Sequence, residues 1–306
     1  MRKHDREIFF KMIRGKVGFN ELLRRHTTIR IGGPAEVWIE PADLIELRLI
    51  VHYANDNQIP YFTIGNGSNL LVSDRGVRGF VIRLSSDDFK KIQLVEDTLV
   101  VGSGVNVSYL VEQMKEIGMS GLEPLVGIPG TVGGAVCMNA GTEGHWIGNI
   151  VRGVSLMDRD GSIGAKDRED LQFRYRGCDG LGDSIILDVV FGLTPEKSEV
   201  IARRMEMFLQ KRAQSQPQGA SAGCIFKNPP VCAAGSIIDR LGFKGHRQGG
   251  AVVSDMHANY IVNDNEATAD DVLSLIQKIK ARALEAEGIV LEPEVKIVGE
   301  EVYATA

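Results

Sequence analysis

No C-x-x-C pair occurs among the four cysteines, Cys137, Cys178, Cys224 and Cys232, and none stands at metal-ligand spacing from the six histidines. That excludes a zinc ribbon and a dithiol redox motif, and no bound metal is expected. Nothing suggests a disulfide framework, so a reducing cytoplasm is the expected compartment. Basic residues are not in excess: 35 Lys and Arg face 40 Asp and Glu, a net charge of −5. An extended nucleic-acid surface is thereby excluded, although a local anion pocket is not. Apolar runs are broken by charges well short of a bilayer span, so no membrane association is expected. Residues 1–16 are too charged for a secretory signal. Prolines number only 10 and no G-X-Y period exists, while 43% hydrophobic content excludes a low-complexity chain.

Glycine is what the chain has in surplus. There are 35 in 306 residues, about 11% against an ordinary 7%. Sixteen lie from Gly65 to Gly153, and none between Gly192 and Gly219 or between Gly250 and Gly288. Something in the first half needs backbone that side chains would obstruct.

Coarse periodicity gives a mixed α+β chain rather than a regular βαβα series. Residues 1–26 read as an amphipathic basic lead-in, with Ile8, Phe9, Met12 and Ile13 at helical spacing. A strand at 35–40 precedes a helix opened by Pro41, with Leu44, Leu47, Val51 and Ala54 on one face. Strands follow at 61–64, 80–84, 92–95 and 99–102, then a helix at 107–117 capped by Asn106. Further strands are expected at 151–158 and 184–193. Thr194 and Pro195 read as the N-cap and N1 of a helix to about Arg212, and 213–222 as a polar linker. A short helix at 233–241 ends at Gly242, and Thr268 caps a long one. Strands at 260–262 and 295–298 complete the list, and no internal repeat is visible. Boundaries near 80 and 195 divide the chain into 1–80, 81–195 and 196–306.

Two segments carry chemistry. In Gly65-Asn66-Gly67-Ser68-Asn69 the glycines stand two apart, so successive N–H groups can converge on one anion. Taken alone, this loop is better explained as an ordinary turn. In Gly127-Ile128-Pro129-Gly130-Thr131-Val132-Gly133-Gly134, four glycines in eight residues leave a surface with almost no side-chain bulk. A pyrophosphate or a flat ring can approach such a surface, although tight sheet packing also suits it. The Gly-Lys-Ser/Thr ending of a Walker loop is missing, and the residues before Gly127 are not strand-like as a Rossmann fingerprint would require.

Taken together these segments resemble the FAD-binding domain of the vanillyl-alcohol-oxidase and p-cresol-methylhydroxylase type. More narrowly, Gly-Ile-Pro-Gly-Thr-Val-Gly-Gly, Phe173-Arg174-Tyr175-Arg176, Ser221-Ala222-Gly223-Cys224-Ile225-Phe226-Lys227-Asn228-Pro229 and Leu291-Glu292-Pro293-Glu294-Val295 are similar to the UDP-N-acetylenolpyruvoylglucosamine reductase family. The similarity runs from about residue 27 to 299 in the family's order. It implies two FAD-binding α+β subdomains followed by a C-terminal α/β substrate domain. It also implies noncovalent FAD, NADPH as co-substrate, a UDP-sugar substrate and no obligatory protein partner.

Carried over residue by residue, Gly65, Asn66, Gly67, Ser68, Asn69, Pro129, Gly130, Thr131, Gly133, Gly134 and Asn139 are the expected cofactor contacts. Arg176, Cys224 and Glu294 are the expected catalytic residues. Tyr175, Arg212, Lys227 and Asn228 are the expected substrate contacts. Strand alternation would put Glu292 and Glu294 on one face, and the family pattern selects Glu294. Cys224 departs from the serine of many relatives; a thiol with an ordinary value near 8.5 is protonated at neutral pH and can serve as the acid. His145 is the one histidine placed where a covalent flavin link would be conceivable. An oxidase of the same fold, or a flavin-binding regulator, would keep both glycine loops. Neither has a reason to carry Arg176, the Cys224 segment and Glu294 together.

Overall fold

The computed structural model describes residues 9–95, 98–142 and 144–299. The chain divides into two compact units. One comprises Met1–Phe19, Val37–Gly65 and Gly79–Lys211, the other Asn20–Glu36, Asn66–Arg78 and Arg212–Ala306.

In the first unit, helix α1 (Leu44–Asp56) buries Leu47, Ile50, Val51 and Ala54, the face set by its apolar spacing. Asp43, not Pro41, opens it: the Asp43 carboxylate accepts from the Glu46 N–H at 2.9 Å. The helix packs with Phe80, Ile82 and Phe89 in one core cluster. Strands Tyr61–Thr63 and Val77–Ile82 pair in parallel there, Phe62 opposite Val81. They are neighbours in a four-stranded sheet completed by Pro34–Glu40 and Lys16–Leu22. Lys16–Leu22 corrects the lead-in reading, because its register beside Pro34–Glu40 turns the end of that segment into a strand. Residues 9–12 are helical, and Ile8 lies outside the described residues.

A five-stranded antiparallel sheet forms the larger core of this unit, in the order Ile163–Asp167, Val151–Met157, Ile185–Gly192, Thr98–Gly102, Ile92–Val95. Helices α2 (Val107–Glu116) and α3 (Val132–Cys137) bury Leu110, Val111, Val132 and Val136 in the same cluster as Val101, Val154 and Val189. Asn106 caps α2, its side chain accepting from the Tyr109 N–H at 3.2 Å. Helix α4 is Ser198–Ser215. Thr194 and Pro195 do not start it; they pair with Ser120 and Met119 in a two-stranded ladder. At this ladder's edge proline's missing N–H is tolerated. The expected 213–222 linker shrinks accordingly, since α4 reaches Ser215 and a strand begins at Ala220.

Glu123 is only 4% exposed. It accepts from the Ser120 hydroxyl at 2.7 Å and the Gly121 N–H at 2.6 Å, with Arg204 3.3 Å away. Burial pushes its carboxyl up, but these hydrogen bonds outweigh burial and hold it below the ordinary value. A depressed carboxyl stabilises the fold above its unfolded value, near 4.3, and that contribution fades as pH falls through the folded value. Urea titrations at pH 7 and pH 3.5 are therefore expected to show a smaller loss of stability for Glu123→Gln than for the parent. At pH 7 the substitution itself is expected to cost about 1.5–3 kcal/mol. Equal losses for the two proteins would refute the assignment.

The second unit is built on the antiparallel sheet Ala220–Cys224, Tyr260–Asn263, Ala251–Val253, Arg247–Gln248. Helix α5 (Ala234–Arg240) contributes Ile237 and Ile238 to its core, and α6 (Ala269–Glu287) contributes Val272, Leu275, Ile276, Ile279 and Ala283. Thr268 and Asp271 cap α6 reciprocally, and Gly288 ends it with φ 66°. Strand Leu70–Val72 pairs in parallel with Lys296–Val298.

Candidate active site

The loop 65–69 leaves Ile64, whose N–H still donates to Ile82 at 2.9 Å, and enters strand Leu70–Val72. Gly67 has φ 60°, and a Cβ there would stand 2.2 Å from the His26 carbonyl oxygen. Only glycine fits that turn. At Gly65 a Cβ would stand 2.4 Å from the Thr131 hydroxyl, so a side chain there would have to displace it. Among the described residues, no acceptor takes the N–H groups of Gly65, Asn66, Gly67 or Ser68. Four consecutive donors left open in a glycine turn suit an anion. Asn69 is placed differently: its amide donates to the Glu294 carbonyl at 3.1 Å, and its own carbonyl accepts from Lys296.

The second glycine segment is satisfied internally. Gly130, Val132 and Gly133 donate to Ile128, Val105 and Ser103, and Gly134 donates to the Thr131 hydroxyl at 3.4 Å. Its contribution is space. Pro129 and Gly134 are exposed, and a Cβ on Gly134 would meet nothing nearer than Thr131 at 3.5 Å. Gly133 lies against Ser103, 2.9 Å from a would-be Cβ, and the buried Ser103 hydroxyl has no hydrogen-bond partner among the described residues. Asn139, buried at φ 41°, uses its amide inside the fold: it donates to the Arg174 carbonyl at 2.9 Å and accepts from the Gly148 N–H at 3.0 Å. Taken separately, the open N–H groups of the turn suit a pyrophosphate in one unit, and the bulk-free segment beside an orphan hydroxyl suits a flat ligand in the other. Sequence reasoning did not single out Ser103, because an isolated serine after a strand carries no signal.

Arg176 sits in the tight connection between strands Phe173–Arg174 and Gly177–Cys178, whose register pairs Arg174 with Gly177. Its φ is 57°. A non-glycine residue held there costs about 1–2 kcal/mol, and such strain collects at functional positions. The guanidinium donates to the Gly141 carbonyl at 3.3 Å and lies over the rings of Trp146 and Tyr175 at 5.5 and 5.3 Å. Its Nε is buried and makes no hydrogen bond among the described residues. Tyr175 is 39% exposed, its ring edge against Trp146. His145 is exposed beside Phe208.

In the second unit the backbone brings Cys224 and Glu294 together. Strand Ala220–Cys224 carries a bulge: Ser221 opposes Val262 but Cys224 opposes Tyr260, with Gly223 at φ 77° inside the irregularity. Beyond it, the Asn259 side chain clamps both backbone groups of Phe226, at 2.9 and 2.8 Å. On the other side the Glu294 N–H donates to the Ile225 carbonyl at 2.7 Å, and Phe226 bridges Pro293. Residues 292–295 are therefore not a strand, and the expectation that Glu292 and Glu294 share a strand face does not hold. Pro293 alone in this segment makes a β-bridge, to Phe226. Glu292 is exposed and pairs with Lys227 at 3.2 Å, whereas Glu294 is half-buried. The Asn228 side chain accepts from the Ala234 N–H at 2.9 Å and so caps α5.

Tyr260 completes this cluster. Its hydroxyl is hydrogen-bonded to Cys224, and Arg212 and Glu294 both act on it electrostatically. The Arg212 Nε is buried without a hydrogen bond among the described residues. Read from the sequence, Tyr260 was only part of a strand, because a register across 36 positions is set by tertiary pairing and the bulge rather than by local pattern. Among the described residues no group of three or more His, Cys, Asp or Glu could hold a metal, and no helix is long and apolar enough to cross a membrane.

Residues 35–164 match the family described as FAD binding domain, which agrees with the open-donor turn and bulk-free segment they contain. The chain is a flavin-dependent oxidoreductase whose cofactor is FAD. Residues 215–298, which hold the Cys224 and Glu294 cluster, match the UDP-N-acetylenolpyruvoylglucosamine reductase C-terminal domain. The reductase of Desulfosudis oleivorans is 40% identical, covering 94% of this chain and 96% of that protein. The reductase of Bacillus pumilus is also 40% identical, covering 94% and 95%. The crystal structure of the Thermus caldophilus reductase superposes with a TM-score of 0.82 at 38% identity, covering 92% of this chain and 99% of that one. The chain belongs to the UDP-N-acetylenolpyruvoylglucosamine reductase family.

Proposed function

We propose that this protein reduces the enolpyruvyl double bond of UDP-N-acetylglucosamine enolpyruvate to give UDP-N-acetylmuramate, with Arg176, Cys224 and Glu294 as its catalytic residues. The observation that carries the residue assignment is the bulged strand end that sets Cys224 beside the Glu294 segment and against Tyr260. FAD, when bound, supplies the hydride relay from NADPH to the terminal carbon of the enolpyruvyl group. Residues 65–69, 129–134 and Asn139 are assigned to hold it without a covalent bond. The open N–H groups of 65–68 suit its pyrophosphate, and Pro129 to Gly134 leave room for its bulk.

Hydride addition to the terminal carbon leaves an electron pair on the carbon that bears the carboxylate, delocalised as an enolate. Arg176 opposes that charge with a planar, permanently charged fork that suits a carboxylate. Cys224 gives its thiol proton to the carbon: the S–H bond breaks, the C–H bond forms, and the sulfur takes a proton back from water. Glu294 orients the substrate or a water for that transfer. Tyr175, Arg212, Lys227 and Asn228 are assigned to the UDP-sugar; Lys227 would exchange its Glu292 partner for a phosphate. The product is a peptidoglycan precursor, so cell-wall synthesis, cell shape and division in a cytoplasmic setting follow from this reading.

Oxygen-free assays of the purified holoenzyme test it. NADPH is expected to be consumed only when the UDP-enolpyruvyl sugar is present, one NADPH per UDP-N-acetylmuramate formed. Consumption driven by a hydroxy acid or sugar lactone, with none driven by the enolpyruvyl sugar, would sink the proposal.

A further inference from the structure

We infer that Tyr260 is a positioning residue for the Cys224 thiol: its hydroxyl donates to the sulfur, turns the S–H bond outward, and holds the sulfur's charge once the proton has left. The inference rests on the reading of Cys224 as the proton donor. It starts from the register, because the bulge at Gly223 brings Cys224 opposite Tyr260 where an unbroken ladder would have paired residue 223 there. The tyrosine is 8% exposed. A buried phenol needs a partner, and here the partner is the Cys224 sulfur.

Direction matters in that bond. Burial, and next the sulfur itself, push the Tyr260 hydroxyl well above its ordinary value. The phenol therefore stays protonated and can donate at any working pH. A thiol receiving this bond on a lone pair keeps its own hydrogen for another acceptor. As the thiol gives up its proton the acceptor becomes an anion, and a hydrogen bond to an anion is roughly twice as strong as one to a neutral atom. The bond is thus stronger after proton transfer than before, which is the condition for accelerating the step.

The charged and titratable neighbours fit this role. Glu294 raises the phenol further, and Arg212 opposes it. His257, whose ring meets Tyr260 edge-on with centroids 5.0 Å apart, is held low by burial and stays neutral. Its Nδ1 already accepts from the Asn259 N–H at 3.2 Å.

Tyr260→Phe removes the hydroxyl and keeps the ring. In the holoenzyme, kcat is expected to fall about tenfold with KM little changed, the size of one hydrogen bond to a charged atom. Iodoacetamide labelling across pH, read at the Cys224 peptide by mass spectrometry, is expected to move its midpoint up by about one unit. The Cys232 peptide in the same digests serves as the unmoved reference. Either an unshifted Cys224 midpoint or an unchanged kcat overturns the inference. Cys224→Ala, assayed alongside, separates the two claims. Full turnover in that variant defeats the donor reading itself, while a dead Cys224→Ala beside a normal Tyr260→Phe defeats only the role given to Tyr260.

Discussion

Cys224→Ala is expected to lower kcat by about 10²–10⁴, the range of a positioned general acid, while FAD content and fold are retained. Cys224 is only half-buried and ends its strand, and the segment beyond it is fixed by the Asn259 clamp and the Glu294 backbone bond rather than by the sulfur. Removing the sulfur leaves the buried Tyr260 hydroxyl without that partner and is expected to cost about 1–3 kcal/mol, a loss the fold survives. Cys224→Ser keeps a proton on a heteroatom at the same place and is expected to retain substantial turnover. A serine hydroxyl is the weaker acid, so the two variants separate acidity from position. Peroxide inactivation supplies a second readout, since a thiol exposed enough to meet substrate can be oxidised to the sulfenic acid and beyond. The parent is expected to lose activity with peroxide, and Cys224→Ser is expected to resist. Near-parental turnover in Cys224→Ala would move the acid's role elsewhere in the cluster.

Local chemistry was legible in the residues themselves. Asn106 and Thr268 cap the helices they were expected to cap, because a capping side chain acts within three residues of its own position. The α1 and α6 faces follow from 3.6-residue spacing. Errors arose where a tertiary partner overrode a local signal. Thr194-Pro195 carries a sound helix-start signature, yet Ser120 and Met119 recruit it into a ladder. Glu292 and Glu294 alternate as strand residues would, yet no strand forms over them and their surroundings differ, one exposed and the other half-buried. The two glycine segments read alike in sequence, but one leaves its donors open and the other consumes them within the fold. Tyr260 and Ser103 were invisible because their meaning lies in what faces them across strands distant in sequence.

Arg176→Gly is expected to lower kcat/KM by about 10²–10³, as removal of a donor to a developing oxyanion does, with only a modest loss of stability. Arginine pays about 1–2 kcal/mol for its left-handed backbone, which glycine adopts without a Cβ penalty. Against that relief stand the contacts the side chain makes. They include a hydrogen bond to Gly141 at 3.3 Å and the faces of the Trp146 and Tyr175 rings beyond 5 Å, each worth about 0.5–1.5 kcal/mol. The contacts outweigh the relief by about 1–3 kcal/mol, so the urea midpoint is expected to fall modestly below the parent's. Arg176→Lys keeps a charge but lacks the fork, cannot grip a carboxylate with two parallel bonds, and retains the backbone strain. It is expected to be at least tenfold slower than the parent. A folded glycine variant that has lost turnover would place the strain at Arg176 in the service of the reaction. An active glycine variant would show that the residue serves only its hairpin, and the enolate would need another cation.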